Sequence, residues 1–313
     1  MSAAESFHLA FCVDDNYLRP MGATVMSILE HNPGRHFTVH VLAFSVSDDN
    51  RRRLQQLDAH AQVSVRLHIV DPAAFGALSR YLANSYYSLA IFSRLVIPDL
   101  LKDETERVTY LDADILCAGS VDELAAMDVS QDIALTVMDA PVTVQRRCKA
   151  LGLQHGRYFN AGFMHINLRN WLAQAISEQA FEMLASAQGD MRFPEQDALN
   201  RILDGRARYI DGKYNYIYDM VYDLDRDIRT MRPIGDAVFL HFAGAVKPWA
   251  AWSGHAATEM YRKYHARSPW AEMPLDEAPR NTREMRMLSR FMAKRGQLGA
   301  ALGWYWRYLR ARA

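Results

Sequence analysis

A short, nearly unbroken apolar run, Phe7 to Val13, and two further strand-like runs, Phe37 to Phe44 and Val63 to Val70, alternate with two stretches of helical period, and this alternation constrains the fold more than any other feature. An apolar run with no polar alternation is the pattern of a strand covered on both faces. The first intervening stretch carries Met21, Val25, Ile28 and Leu29 at helical spacing and stops at Asn32-Pro33-Gly34. The second is polar, opens at Ser47, whose hydroxyl suits a helix cap, and runs through Leu54 and Leu57; Asp71-Pro72 closes the third run. Strand, helix, strand, helix, strand predicts right-handed βαβ units and an α/β fold on a mostly parallel sheet. Such sheets bind ligands beyond the carboxyl ends of their strands, so the residues that follow each run carry the functional information.

A fourth apolar run, Val108 to Leu116, contains Asp112 and Asp114. Residues two apart on a strand point to one face, so the spacing predicts two carboxylates converging on one hard cation or one ligand. The spacing itself is common. Asp223, Asp225 and Asp227 repeat it with no strand before them and read as a plain solvated loop. What distinguishes the earlier pair is its apolar approach, which delivers charge to the edge of a sheet.

The remaining elements are placed around that stretch. Between Tyr81 and Leu101 the positions Leu89, Ile91, Phe92, Leu95 and Val96 suit a helix that contains Arg94 and ends at Pro98. Val121 to Met127 reads as a short helix and Ile133 to Met138 as a strand ending at Asp139. Tyr158 to Leu168 reads as a strand whose small residues, Ala161 and Gly162, let another group approach the backbone. A long helix is expected from Leu168 to Leu184, and Pro194 opens another through Glu195, Gln196 and Asp197. The stretch from Tyr209 to Asp227, crowded with Tyr214, Tyr216, Tyr218 and Tyr222, reads as a loop or lid. Val238 to Phe242 is the last apolar strand and delivers His241, followed by Gly244 and Lys247-Pro248-Trp249.

A histidine near a strand end is ordinarily structural, but His241 acquires another meaning beside a carboxylate pair. A cation such as Mn²⁺ accepts carboxylate and imidazole together and keeps positions for phosphate oxygens. It also neutralises charge that builds on a departing diphosphate, and Lys247 offers a second positive charge for the same oxygens. Beyond Ser253 the chain turns amphipathic and helical, with one stripe at Met285, Leu288, Phe291 and Met292 and a second at Leu298, Leu302, Tyr305, Trp306 and Leu309. The expected division is an α/β body over residues 1–252 and a helical extension over 253–313.

Charge narrows the partners. The 36 Lys and Arg cancel the 36 Asp and Glu, which argues against the bulk basic field of a nucleic-acid binder. From Arg280 onward, however, nearly every charge is basic, with Glu284 the exception. Cys12, Cys117 and Cys148 share no metal-like spacing and read as free thiols of a reducing compartment. The start, Met1-Ser2-Ala3-Ala4-Glu5, and a first apolar run that stops at Asp14 offer neither a signal peptide nor a membrane span, so a cytoplasmic location is expected.

Six stretches in order resemble glycosyltransferase family 8, the retaining nucleotide-sugar transferases. They are Val13-Asp14-Asp15-Asn16-Tyr17, Arg94-Leu95, Tyr110-Leu111-Asp112-Ala113-Asp114-Ile115-Leu116, Phe159-Asn160-Ala161-Gly162-Phe163-Met164, Glu195-Gln196-Asp197-Ala198-Leu199-Asn200 and His241-Phe242-Ala243-Gly244-Ala245-Val246-Lys247-Pro248-Trp249. The resemblance implies a single GT-A domain, Rossmann-like, with a C-terminal helical extension. It also implies Mn²⁺ or Mg²⁺ on Asp112, Asp114 and His241, holding the diphosphate of UDP-glucose or UDP-galactose. By the same resemblance Asp14, Asp15, Asn16 and Tyr17 meet the nucleoside, Ala113 lies within the cation loop, and Gly244 and Lys247 close over the diphosphate. Arg94 and Asp139 contact the donor sugar, with Asn160 and Gln196 beside its ring; a buried Arg94–Asp139 ion pair is the structural alternative.

The implied reaction is hexose transfer to an acceptor hydroxyl with retention of the α configuration. Retention ordinarily asks for a carboxylate nucleophile, and the corresponding position, Gln196, is an amide. Front-face attack, with the leaving phosphate as base, and a transient role for Gln196, Asp197 or Glu195 are both open. Tyr261-Arg262-Lys263-Tyr264, Ser268-Pro269-Trp270, Met273-Pro274-Leu275 and Gly303-Trp304-Tyr305-Trp306-Arg307-Tyr308-Leu309 resemble the tail of bacterial transferases that build the lipopolysaccharide outer core. That implies a lipid-linked acceptor and a peripheral position on the inner face of the inner membrane, with the basic, aromatic helices on an anionic surface. Three readings compete: a nucleotide-sugar-binding protein without turnover, a phosphohydrolase of the haloacid dehalogenase type, and a self-glucosylating enzyme using hydroxyls of the tyrosine-rich stretch 209 to 222, against which the bacterial-type tail argues. The phosphohydrolase places its Asp-x-Asp near the start of the fold and brings acids, where this chain brings His241, on a late strand.

Overall fold

The computed structural model describes residues 6–81, 89–186 and 191–312. Residues 1–5, on which the expectation of no leader rests, and 82–88, within the helix expected after Tyr81, lie outside the described residues. The strands are β1 (Phe7–Cys12), β2 (Phe37–Ala43), β3 (Val63–Ile69), β4 (Arg107–Leu111), β5 (Ile115–Cys117), β6 (Ala134–Met138), β7 (Phe159–Asn167), β8 (Arg208–Tyr209), β9 (Tyr216–Ile217) and β10 (Phe239–His241). The helices are α1 (Leu18–His31), α2 (Asp48–Asp58), α3 (Ile97–Leu101), α4 (Asp122–Ala125), α5 (Pro141–Leu151), α6 (Leu168–Ala173), α7 (Ile176–Ser186), α8 (Pro194–Ile202), α9 (Met220–Leu224), α10 (Ala257–His265), α11 (Thr282–Lys294) and α12 (Leu298–Arg310).

A seven-stranded sheet has the order β3-β2-β1-β4-β7-β6-β8, and β5-β10-β9 form a smaller one. β1, β2 and β3 are parallel, as expected; β1 and β2 are covered on both faces, with Phe7, Leu9 and Phe11 in one core and Ala10 in the other, whereas β3, at the sheet edge, buries only Val63 fully and leaves Arg66 and Ile69 exposed. β1 pairs parallel with β2 on one side and β4 on the other. Strand order therefore reverses between β1 and β4, and the crevice beyond their carboxyl ends is the position where open α/β sheets take ligands. β7 runs antiparallel to β4 and β6, so the sheet is mixed although mostly parallel.

Several expectations change. Leu89–Val96 is a 3₁₀ segment, and Pro98 sits in the first turn of α3, where its missing N–H costs nothing, so it opens a helix instead of ending one. The long helix expected from Leu168 is two helices, broken at Ala175 with φ 49°; beyond the break the Ser177 hydroxyl accepts from the Trp171 indole at 2.9 Å. α5 was not expected, because Arg147 is its only buried residue and it has no apolar stripe to read. The stretch from Tyr209 to Asp227, expected as a loop or lid, carries short elements, a 3₁₀ turn, β9 and α9, with Tyr214 and Tyr218 fully buried.

Asp223, Asp225 and Asp227, expected as a solvated loop, are all ion-paired, and of the three only Asp227 stays mostly exposed. Asp223 is buried against Arg232 (2.7 Å) and His255 (3.3 Å), while Asp225 meets Arg290 and Lys294 and Asp227 meets Arg295. The C-terminal residues are bolted to the body on its other side as well. A Cβ on Gly22 would lie 2.3 Å from the buried Trp270 ring, the Trp270 indole donates to Asn50 at 2.7 Å, and Arg19 pairs with Asp276 at 2.9 Å. In α11 the expected stripe is buried at Leu288 and Phe291, but the stripe of α12 faces outward, with Leu298, Leu302 and Trp306 each at least 60% exposed.

Candidate active site

The chain leaves β1 through Asp14, whose Oδ1 accepts the N–H groups of Asn16 and Tyr17 at 3.0 and 3.1 Å and so shapes the start of α1. Tyr17 is 40% exposed and stands edge-on to Trp249, ring centroids 5.8 Å apart, which gives a flat, half-open aromatic wall at the switch point. Asp15 points elsewhere: its Oδ1 accepts from the Ser47 amide (2.9 Å) and hydroxyl (3.1 Å), binding this loop to the N-terminus of α2.

Asp112 and Asp114 are not on a strand face. β4 ends at Leu111, and Asp112-Ala113-Asp114 is the turn by which the chain crosses from the large sheet to β5 in the small one. The turn is fixed by backbone bonds, Asp112 N–H to Gly162 C=O (2.8 Å) and Phe242 N–H to Asp114 C=O (3.0 Å), and by the Thr24 hydroxyl donating to Ala113 C=O and Ile115 C=O. β10 lies antiparallel to β5 with His241 level with Ile115, and this register brings the imidazole to the turn.

Each of the three residues has one polar side-chain atom occupied and one spare. Asp112 Oδ1 accepts from the Tyr110 hydroxyl (2.5 Å) and from Arg94 (3.1 Å); Asp114 Oδ2 accepts from the Lys247 ammonium; His241 Nδ1 lies 2.9 Å from Asn215 Oδ1. The atoms left over are Asp112 Oδ2, Asp114 Oδ1 and His241 Nε2, with Nε2 3.9 Å from the first and 3.2 Å from the second. Asp114 Oδ1 is buried with no hydrogen-bond partner among the described residues. Neighbouring ligands of an octahedral ion with bonds of about 2.1 Å stand about 3 Å apart, so the donor set fits a hard divalent cation and leaves other coordination positions open.

The tautomer of His241 follows from a backbone amide. Gly162 N–H donates to Asn160 Oδ1 (3.0 Å), so that atom is the oxygen; Asn215 must then offer it Nδ2 (3.1 Å) and turn its own Oδ1 to His241, whose Nδ1 carries the hydrogen. Burial alone would raise the Asp114 pKa, but Lys247 and His241 hold it well below the usual carboxylate range. For His241 burial pulls down and Asp114 outweighs it, raising the imidazole above its ordinary value.

Arg94, buried, does not pair with Asp139. It donates to Ala161 C=O (2.8 Å), covers the Tyr110 ring at 4.6 Å and approaches Glu195 at 3.7 Å besides holding Asp112. Asp139 belongs to a second group: its Oδ2 accepts from Asn160 Nδ2 (3.2 Å) and Gln196 Nε2 (3.0 Å). Gln196 Oε1 is taken by the Ala161 amide at 2.9 Å. Asp197, fully buried, has both oxygens bound, by Arg147, by the Tyr158 hydroxyl and by the Phe193 amide. Gly244, at φ 113°, forms the turn after β10, in a backbone region that L side chains rarely adopt.

The structure thus brings together Tyr17, Arg94, Asp112, Ala113, Asp114, His241 and Lys247 in one group, with Asp14 and Asn16 in the turn that precedes Tyr17, and Asp139, Asn160 and Gln196 in an adjoining group, linked through Asn160 and Asn215. Asn215, Tyr158 and Arg147 were not singled out from sequence. Tyr110 stands two residues before Asp112, a spacing that signals in the sequence that the two side chains share a side.

The chain matches the profile of Glycosyl transferase family 8 over residues 8–253 and that of Glycosyl transferase family 8 C-terminal over residues 255–311. It is 31% identical to a lipopolysaccharide 1,2-glucosyltransferase of Escherichia coli, over 88% of this chain and 82% of that one. It is 29% identical to a lipopolysaccharide 1,3-galactosyltransferase of Salmonella typhimurium, over 99% and 92%. Among solved structures it is similar to the galactosyltransferase LgtC in complex with donor and acceptor sugar analogs, at a TM-score of 0.70 and 22% identity, over 88% of this chain and 99% of that one. That likeness concerns the fold, a GT-A-type α/β domain.

Proposed function

The chain belongs to glycosyltransferase family 8, a family of retaining nucleotide-sugar hexosyltransferases, and we propose that it moves an α-linked glucose or galactose from its UDP-sugar to the outer core of a lipopolysaccharide. The single observation that carries the reading is the set of spare donors on Asp112, Asp114 and His241, beside the switch point of the sheet. A divalent ion, Mn²⁺ or Mg²⁺, held by those three would supply Lewis-acid neutralisation of the leaving diphosphate. Asp14, Asn16 and Tyr17 bind the nucleoside, with Asp15 shaping their loop and Ala113 closing the floor. Lys247, already at the cluster, and the Gly244 turn close on the diphosphate, and Arg94 keeps Asp112 aimed.

The sugar lies on the Asp139, Asn160 and Gln196 group. Front-face attack is favoured over a covalent intermediate on Gln196 or Asp197, because the Gln196 oxygen accepts from the Ala161 amide and both Asp197 oxygens are bound; Glu195, buried beside Arg94 with Oε2 without a partner among the described residues, is the carboxylate left open to a covalent role. The acceptor proton then goes to the departing phosphate. A catalytic body over 1–252 carries this chemistry, and the extension over 253–313 meets the membrane. Among the described residues no helix is long and apolar enough to cross a membrane. The outward stripe of α12, flanked by Arg307, Arg310 and Arg312, suits the anionic cytoplasmic face of the inner membrane, where a lipid-linked acceptor is found.

The test is incubation with UDP-glucose and UDP-galactose, Mn²⁺ and truncated lipopolysaccharide acceptors, with UDP release measured and the product analysed by mass and anomeric configuration. One donor giving an α-linked product, abolished by chelator, supports the reading. Tight UDP-sugar binding with no release for any acceptor supports the binding-only alternative instead.

A further inference from the structure

On the sheet face opposite Phe7, Leu9 and Phe11, three adjacent strands carry a ladder of histidines. His40 on β2 is level with Ala10 of β1, and His68 on β3 is level with Leu42 of β2, so His8, His40 and His68 step diagonally along one face. Their rings stack at 5.2 and 5.3 Å. His8 Nδ1 lies 2.9 Å from His40 Nε2, and His40 Nδ1 lies 3.1 Å from His68 Nε2. Glu104, just after α3, brings Oε2 to 3.9 Å from His40 Nδ1. Among the described residues His40, His68 and Glu104 join the Asp112 cluster as a group whose donor atoms all lie within 4.8 Å of one another. No residue is shared with the candidate active site, and the transfer chemistry uses none of them.

We propose that His40, His68 and Glu104 form a second divalent-cation site, for an ion of the Zn²⁺ class, at the outer edge of the large sheet. Two imidazoles and one carboxylate, with a position left for water, is an established zinc donor set. Ligands on a tetrahedral ion with bonds of about 2.0 Å stand about 3.3 Å apart. The His40–His68 separation is already close to this, and Glu104, 3.9 Å from His40 and with its donor within 4.8 Å of both imidazoles, closes on the ion by movement of a side chain that is 37% exposed. The nitrogen-rich set separates it from the oxygen-rich site on Asp112 and Asp114, which suits Mn²⁺ or Mg²⁺.

The second shell fits as well. His40 is fully buried, and its Nε2 faces His8 Nδ1, which can accept its hydrogen and leave Nδ1 with a lone pair for the ion. Burial, followed by His8, His68 and Arg66, depresses the His40 pKa to about 3, so the ring is the neutral form that a metal requires. Arg66 opposes an added cation, and Glu104 supplies the offsetting charge. Half-buried His68 and exposed Glu104 leave the ion a way in. Without metal the ladder satisfies itself, each imidazole passing one N–H to the next, so the chain folds in either state and the site can be tested.

The experiment is equilibrium dialysis of the metal-stripped full chain against Zn²⁺, with Co²⁺ absorption reporting coordination, in wild type and in Asp114→Asn. The second background removes the contribution of the Asp112 cluster. One Zn²⁺ equivalent is expected to remain in Asp114→Asn, with the intense visible bands of four-coordinate Co²⁺. Adding His68→Gln should abolish stoichiometric binding and Glu104→Gln should weaken it by about tenfold or more, with melting curves in the absence of metal unchanged. Zinc stoichiometry and affinity that are indifferent to both substitutions would overturn the proposal and leave a hydrogen-bonded imidazole ladder.

Discussion

Gly162→Ala is the smallest perturbation that reaches the candidate cation site. A Cβ at this position would lie 2.4 Å from His241 Cε1, 2.8 Å from Asp112 Oδ2 and 2.9 Å from Asn160 Oδ1. Carbon atoms in ordinary contact stand about 3.5–4.0 Å apart, so the imidazole must retreat by about 1 Å. Metal sites tolerate ligand displacements of about 0.2 Å, and His241, buried and tied to Asn215, retreats only by breaking that bond. Overpacking of this kind costs about 1–3 kcal/mol, which in a chain of this size lowers the melting temperature by only several degrees. A misplacement of about 1 Å near the reacting groups costs about 100-fold in rate. The variant should therefore fold, lose about two orders of magnitude in kcat/KM for UDP release, and need about tenfold or more Mn²⁺ for half-saturation. Steady-state kinetics across a Mn²⁺ series, with a melting curve, measures all three. A folded variant with wild-type kcat/KM and Mn²⁺ half-saturation would refute the packing argument, because a Cβ cannot occupy that space while His241 stays in place.

Asn215→Ala removes the acceptor that fixes the His241 tautomer and the donor that Asn160 uses; Mn²⁺ affinity should fall by about 10–100-fold, read by ion titration, with the donor KM moving less. His165 is buried neutral, its pKa depressed by burial and then by Arg107 to about 4. The unfolded chain therefore binds the extra proton first, and stability is present above pH 6.5 and lost as pH falls towards 4, by about 3 kcal/mol for this group. Urea unfolding at several pH values should show a shallower loss in His165→Gln than in wild type, and parallel curves would remove His165 from the account. Replacing Leu302 and Trp306, both exposed on α12, by Glu should release the chain from phosphatidylglycerol vesicles in a sedimentation assay and leave it folded; retention would relocate the membrane contact.

Where burial leaves a period in the chain, the fold was legible. The runs that became β1 and β2 are largely apolar on both faces because both faces are covered, β3 alternates because it lies at the open edge of the sheet, and Ser47 accepts from the Asn50 amide as its position before a polar helix predicts. α5 was invisible for the complementary reason, since it buries little beyond Arg147. Asp112 and Asp114 were identified by chemistry but assigned the wrong backbone: a spacing of two describes a strand face and a tight crossing turn equally well, and only the jump from β4 to β5 distinguishes them. His241 reaches them through the β5–β10 register, which no local pattern encodes. Asn215 lay hidden among tyrosines because its partners, His241 and Asn160, are remote in sequence. The acids from Asp223 to Asp227 read as solvated because the Arg232, Arg290 and Arg295 side chains that neutralise them, and the His255 ring against Asp223, come from later segments. On α12 the stripe itself was legible, but a stripe records that a face is apolar, not what covers it.

The central claim is that Asp112, Asp114 and His241 grip one divalent ion, and Mn²⁺ titration of the full chain with UDP present, followed by the electron-paramagnetic signal of free Mn²⁺, tests it most directly. The account predicts one saturable site in wild type, weakened by at least about 100-fold in Asp112→Asn, Asp114→Asn and His241→Gln alike. Wild-type Mn²⁺ affinity in folded His241→Gln would contradict it.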